Sequence, residues 1–225
     1  FLQRVQARKY LSHLLEETVP RDLIEAYQEL VIPLFKAIQH HSGVSLIVDS
    51  SKSARLAVGR VYALQKYTPF NVRAIHLVRD GRGVMWSSRK GSGDPTRGSL
   101  WTPPCVRTLR ALWGWRTTNT LCHKVTAFLE PESVLFLRYE DLMAQPVKAI
   151  RRIGTFLEQN MEPIVRRLIK QEPFTVGHNI GGNRLRFHSS LRIQPDNSWR
   201  QKLSPFYQRI FWLYARSLAS QYGYR

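Results

Sequence analysis

Three short apolar runs punctuate this chain, and each breaks off into polar and charged residues. Ser45 to Val48 (SLIV) leads into Asp49-Ser50-Ser51-Lys52, Val72 to Val78 (VRAIHLV) into Arg79-Asp80-Gly81-Arg82-Gly83, and Ser133 to Leu137 (SVLFL) into Arg138-Tyr139-Glu140-Asp141. Brief runs rich in Val, Ile and Leu and closed by turn-forming residues read as buried strands. Helical patterns separate them. Residues 20–41 place Leu23, Ile24, Tyr27, Leu30, Val31 and Leu34 at a helical period, with Gly43 where a helix stops. Ser53 to Lys66, the stretch after Arg79-Asp80, Val106 to Leu129, and Pro146 to Leu157 also read as helices. Strand, loop and helix in alternation predict βαβ units: an α/β fold with a central parallel β-sheet flanked by helices. Residues 174–200 show no periodicity, and an amphipathic helix from Pro205 to Tyr222 closes the chain. Without a repeat, a low-complexity tract or a splitting linker, residues 1–225 read as a single domain, long enough for a sizeable core.

Charge says what such a fold attracts. With 34 Lys and Arg against 16 Asp and Glu, the net charge of +18 draws anions: nucleotides, sulfated sugars, nucleic acid or acidic membranes. Cys105 and Cys122 have neither the number for a disulfide framework nor the spacing for a zinc site, so no metal is expected. No apolar run reaches the roughly 18 residues of a membrane span, and residues 1–19 lack a signal-peptide pattern. Few cysteines and no N-x-S/T acceptor site point to the cytoplasm, with a Golgi-type lumen as the alternative if an N-terminal anchor precedes the chain. Residues 90–104 (KGSGDPTRGSLWTPP) read as a loop, a candidate lid over a site.

In an open parallel sheet, ligands bind beyond the carboxyl ends of the strands, where helix N-termini present free N–H groups to anions. Convergence of DSSK, RDGRG and RYED there makes one basic pocket. In HLVRDGRGVMWSSRK, Arg79 leaves the strand and Ser87 follows eight residues on, so a planar guanidinium fork and a hydroxyl can meet one phosphate. A strand-end ion pair with a surface serine explains the same letters, and Ser50 or Ser51 can equally cap the helix at 53–66.

These residues together resemble the family of sulfotransferases that use 3′-phosphoadenosine 5′-phosphosulfate, in its bacterial and carbohydrate-acting branch. The resemblance covers roughly residues 45–205. It implies the P-loop nucleotide-kinase-like sulfotransferase fold, with Arg79 and Ser87 on the donor's 3′-phosphate and Tyr139 of RYEDL beside the adenine. It also implies a basic loop over that phosphate at HNIGGNRLRF, carried by Gly182, Asn183, Arg184 and Arg186, with Asp196 and Trp199 of DNSW anchoring it. DSSK is similar to a segment beside the transferring sulfuryl group, which makes Lys52 and Asp49 the catalytic candidates.

One expected part is missing. The family's 5′-phosphosulfate loop, a Ser/Gly-rich turn after the first strand, has no counterpart before Ile47, and the first glycine is Gly43. The chain is therefore expected to be N-terminally truncated, with its helices at 1–41 facing the substrate. The implied reaction is in-line transfer of a sulfuryl group to an acceptor hydroxyl of a carbohydrate, glycolipid or other small molecule, without a metal. Three rivals stand beside it: a basic nucleic-acid-binding module, a P-loop kinase relative and an inactive sulfotransferase-like protein. Dispersed basic residues without a helix-turn-helix, RNP or zinc signature argue against specific nucleic-acid recognition, and the lack of GxxxxGK[ST] argues against the kinase.

Overall fold

The computed structural model describes residues 5–50, 57–91, 102–175, 190–191 and 193–225. Along the chain come helices α1 (Leu11–Leu15), α2 (Arg21–Ser42) and α3 (Arg60–Tyr67), strand β1 (Ala74–Val78), helices α4 (Gly81–Lys90) and α5 (Pro104–Thr126), and strand β2 (Val134–Arg138). Helices α6 (Tyr139–Ala144), α7 (Pro146–Leu157) and α8 (Glu162–Ile169) follow, then strands β3 (Phe174–Thr175) and β4 (Ser190–Leu191), and helices α9 (Trp199–Lys202) and α10 (Pro205–Gln221). The fold is α/β, mostly helical, with β1 and β2 in a small parallel sheet joined by a crossover through α4 and α5. A separate antiparallel pair sets Phe174 opposite Leu191 and Thr175 opposite Ser190.

The expected strands at 72–78 and 133–137 stand within two residues of their places. The run Ser45–Val48 does not form a strand. A strand exists through its ladder, and among the described residues this run has no ladder partner. Val48 accordingly stays 75% exposed, although its sequence is as apolar as β1. The helix expected at 53–66 starts, among the described residues, at Arg60. The candidate lid falls largely on 92–101, outside the described residues.

The residues gather into two compact units, one of residues 1–74 and 117–134, the other of 75–116 and 135–225. In the first, Leu14, Tyr27, Val31, Ala63 and Val125 form a buried cluster. Tyr27 and Val31 are the inward positions of α2, whereas Leu30 and Leu34 of the same periodic set lie half exposed. Gly43 ends α2 at φ +65°, a left-handed value that glycine adopts without strain.

The second unit is built on aromatic rings. Val78, Met85, Trp115, Trp199, Phe211 and Tyr222 belong to one buried cluster. Trp115 meets Phe211 edge-on at 5.3 Å between centroids, and Phe136 stacks on Tyr222 at 5.2 Å. Each such ring removes roughly 150–250 Å² from water, so few are needed to hold a small sheet. Gly81 at the start of α4 is pressed against Phe211 and Trp115, and a Cβ there would collide with the Phe211 ring. That close approach brings the N-terminus of α4 onto the core.

Candidate functional site

The end of β1 is fixed by one buried ion pair. Asp80 caps α4, accepting from the backbone N–H of Arg82 at 2.8 Å, and the same carboxylate accepts from Arg82 Nε at 3.0 Å and Nη2 at 2.7 Å. Both residues are buried, Asp80 at 3% exposure and Arg82 at 8%. The Arg82 guanidinium also lies over the rings of Trp199 at 4.4 Å and Trp212 at 4.9 Å, and it donates to the Arg225 carbonyl at 2.8 Å. Its charge is thus consumed inside the unit. Asp80 donates its own N–H to Glu140 Oε1 at 2.9 Å, and Glu140 Oε2 accepts from the Tyr224 hydroxyl at 2.7 Å. Burial first, then the Glu140 carboxylate, pushes the Tyr224 phenol far above its ordinary range. Glu140 ties the ends of β1 and β2 together.

Arg79 is held differently. Its carbonyl accepts from Trp115 Nε1 at 2.8 Å, which pins the backbone where the strand ends. Its guanidinium lies 4.8 Å over the Tyr139 ring and reaches Asp196 Oδ2 at 3.5 Å. A Cβ on Gly83 would stand 3.2 Å from Arg79 Nε and 3.3 Å from Trp199 Cδ1, so the absence of a side chain at 83 leaves the arginine its channel along α4. Positions 83, 87 and 90 share one helix face, being four and seven residues apart. Arg79, Ser87 and Lys90 therefore stand along one side of α4, with Ser87 exposed.

Asp196 closes that side. Its Oδ2 lies 3.5 Å from Arg79 and 4.0 Å from Lys90 Nζ, while its Oδ1 accepts from the Ser198 hydroxyl at 2.6 Å and the Ser198 N–H at 3.1 Å. Ser198 in turn accepts from Trp86 Nε1 at 3.1 Å. The Ser198 hydroxyl above all, then its N–H and the two cations, holds the Asp196 carboxyl below the ordinary carboxylate range. The described part of the site thus sets two cations, Arg79 and Lys90, about one carboxylate.

The structure brings Arg79 and Tyr139 together, with Ser87 on the adjoining helix face and Asp196 and Trp199 packed against the same helix. Asp49 lies in the other unit, in an ion pair with Arg60 at 2.9 Å. Lys52, Gly182, Asn183, Arg184 and Arg186 fall outside the described residues. Sequence reasoning missed Trp86, Lys90, Trp115 and Ser198. For Trp86 and Lys90 a signal exists in the helical spacing from Gly83, but Trp115 and Ser198 become visible only through long-range contacts. Among the described residues no group of three or more His, Cys, Asp or Glu could hold a metal ion. No described helix is long and apolar enough to cross a membrane.

A family model described as "Sulfotransferase family" matches residues 2–163. Among solved structures, the chain is similar to the sulfotransferase domain from the curacin biosynthetic pathway, at 22% identity and a TM-score of 0.58, over 100% of this chain and 78% of that one. It is also similar to the sulfotransferase domain from the Synechococcus PCC 7002 olefin synthase, at 20% identity and a TM-score of 0.64, over 100% of this chain and 75% of that one. No curated protein matches.

Proposed function

The chain belongs to the sulfotransferase family, and from that premise we propose that it moves a sulfuryl group from 3′-phosphoadenosine 5′-phosphosulfate to an acceptor hydroxyl of a carbohydrate, glycolipid or other small molecule. The observation that carries this reading is the placement of Arg79. Its guanidinium lies 4.8 Å over the Tyr139 ring, at the end of a parallel strand, with Ser87 on the adjoining helix face and a carboxylate already within reach. A site that accommodates the Asp196 carboxylate has the donors and the charge for a phosphate oxygen.

When bound, the donor supplies a sulfuryl group activated as an anhydride with phosphate. In this reading Arg79 and Ser87 hold the 3′-phosphate and Tyr139 lies beside the adenine, so the nucleotide is recognised by a group that ATP lacks. Gly182, Asn183, Arg184 and Arg186 close over the same phosphate with backbone N–H groups and cations. Lys52 offsets negative charge on the departing bridging oxygen, and Asp49 takes the proton of the acceptor hydroxyl. As in phosphoryl transfer, positioning and charge stabilisation carry the rate. The one-sided basic cradle supports this division of labour, as does the burial of Arg82, which leaves Arg79 as the arginine of RDGRG that faces a ligand.

The test is calorimetric titration of adenosine 3′,5′-bisphosphate into the chain and into Arg79→Ala. Loss of a charge-assisted contact worth roughly 2–3 kcal/mol weakens binding roughly 30- to 150-fold. Equal affinity in the two proteins overturns the assignment.

A further inference from the structure

We infer that Lys90 is a further cation of the 3′-phosphate site and that Asp196 is its resident counter-ion, giving up its outer oxygen when the phosphate enters; this rests on the nucleotide reading above. Asp196 uses its two oxygens for different purposes. Oδ1 is committed to Ser198, with contacts of 2.6 and 3.1 Å, whereas Oδ2 faces Arg79 at 3.5 Å and Lys90 at 4.0 Å. Contacts that long, between side chains exposed by 25%, 40% and 41%, are weak and readily exchanged. The strong contacts hold the loop, and the weak ones are those that a phosphate oxygen can replace.

Lys90 is set for this role by its helix. It lies seven residues beyond Gly83, over which Arg79 passes, and three beyond Ser87, on the same face of α4. A rise of about 1.5 Å per residue puts the two cation positions about 10 Å apart along the axis, a gap that the side chains close by leaning toward one carboxylate oxygen. Trp86 steadies both partners: Lys90 Nζ stands 5.5 Å over its ring while its indole N–H holds Ser198, the residue that anchors Asp196.

A phosphate monoester brings three oxygens and a charge near −2 at neutral pH, against the single outer oxygen and the charge of −1 that the carboxylate offers the two cations. Exchange therefore favours the phosphate, and the carboxylate sets a threshold that weaker anions do not pass. Asp196 both orders the cradle and limits how tightly it holds its ligand.

The experiment measures binding of adenosine 3′,5′-bisphosphate and of adenosine 5′-monophosphate to the wild type, Lys90→Met and Asp196→Asn, with thermal melts to establish folding. Asn keeps the oxygen that Ser198 needs and removes the charge. Lys90→Met should weaken the bisphosphate about tenfold and leave the monophosphate unchanged, and Asp196→Asn should tighten the bisphosphate about threefold or more. Wild-type bisphosphate affinity in Lys90→Met, or equal losses for both nucleotides, overturns the role of Lys90, and unchanged or weaker binding to a folded Asp196→Asn overturns the counter-ion. Either result leaves the nucleotide reading standing if the wild type still prefers the bisphosphate. A wild type without that preference brings down both.

Discussion

Arg79 and Arg82 stand three residues apart in RDGRG and have opposite roles. Arg82 is buried against Asp80, three aromatic rings and a backbone carbonyl, so its charge is structural. Arg79 keeps a loose contact with Asp196 and a quarter of its side chain in solvent. The two make different demands on mutation. Asp80→Ala removes a helix cap and leaves the buried Arg82 guanidinium without its counter-charge, a loss of about 3–5 kcal/mol. Urea unfolding should show that loss as a drop in midpoint, while Arg79→Ala should stay within about 1 kcal/mol of the wild type. If Asp80→Ala is as stable as the wild type, the ion pair is not what fixes the end of β1. Both arginines were legible as letters, but which one stays partly in solvent depends on burial of the other by Trp199, Phe211 and Trp212, residues more than a hundred positions away.

Among the elements, β1 and β2 were legible because each is a short apolar run with a sharp polar end, and α4 because Asp80 and two glycines mark its start. Ser45–Val48 carries the same signal and forms no strand, since apolar character does not supply a ladder partner. The junction of β1 with α6 was not legible, because it runs through Glu140 to a tyrosine near the far end of the chain. That junction makes a prediction about pH. Tyr224 has its phenol raised above the ordinary value of 10.0 by burial and by Glu140, so the folded state holds the proton more tightly than the unfolded one. By linkage its contribution is complete below pH 10 and is lost progressively as pH rises beyond it. Melting temperatures of Tyr224→Phe should start lower at pH 7, for want of a hydrogen bond to a charged group worth roughly 1.5–3 kcal/mol, and fall less steeply above pH 10. Tyr27, pushed up to about 12 by burial in the other unit, keeps part of the alkaline fall in both proteins. Parallel melting curves for wild type and variant across that range would remove Tyr224 from the account.

At the scale of the molecule, a net charge of +18 attracts any polyanion, and only the site decides what is held. The chain belongs to the sulfotransferase family, and the reading proposed above assigns the grouping of Arg79, Tyr139 and Asp196 to a nucleotide with a second phosphate. A general basic surface would bind through the number of phosphates alone, with steep salt dependence. The decisive measurement is calorimetry on the full chain with adenosine 3′,5′-bisphosphate, adenosine 5′-monophosphate and a random-sequence DNA duplex. The account predicts that the bisphosphate binds at least about tenfold tighter than the monophosphate, as one charge-assisted contact requires, and that saturating DNA does not displace it. Equal affinity for the two nucleotides, or displacement of the bisphosphate by DNA, would contradict it.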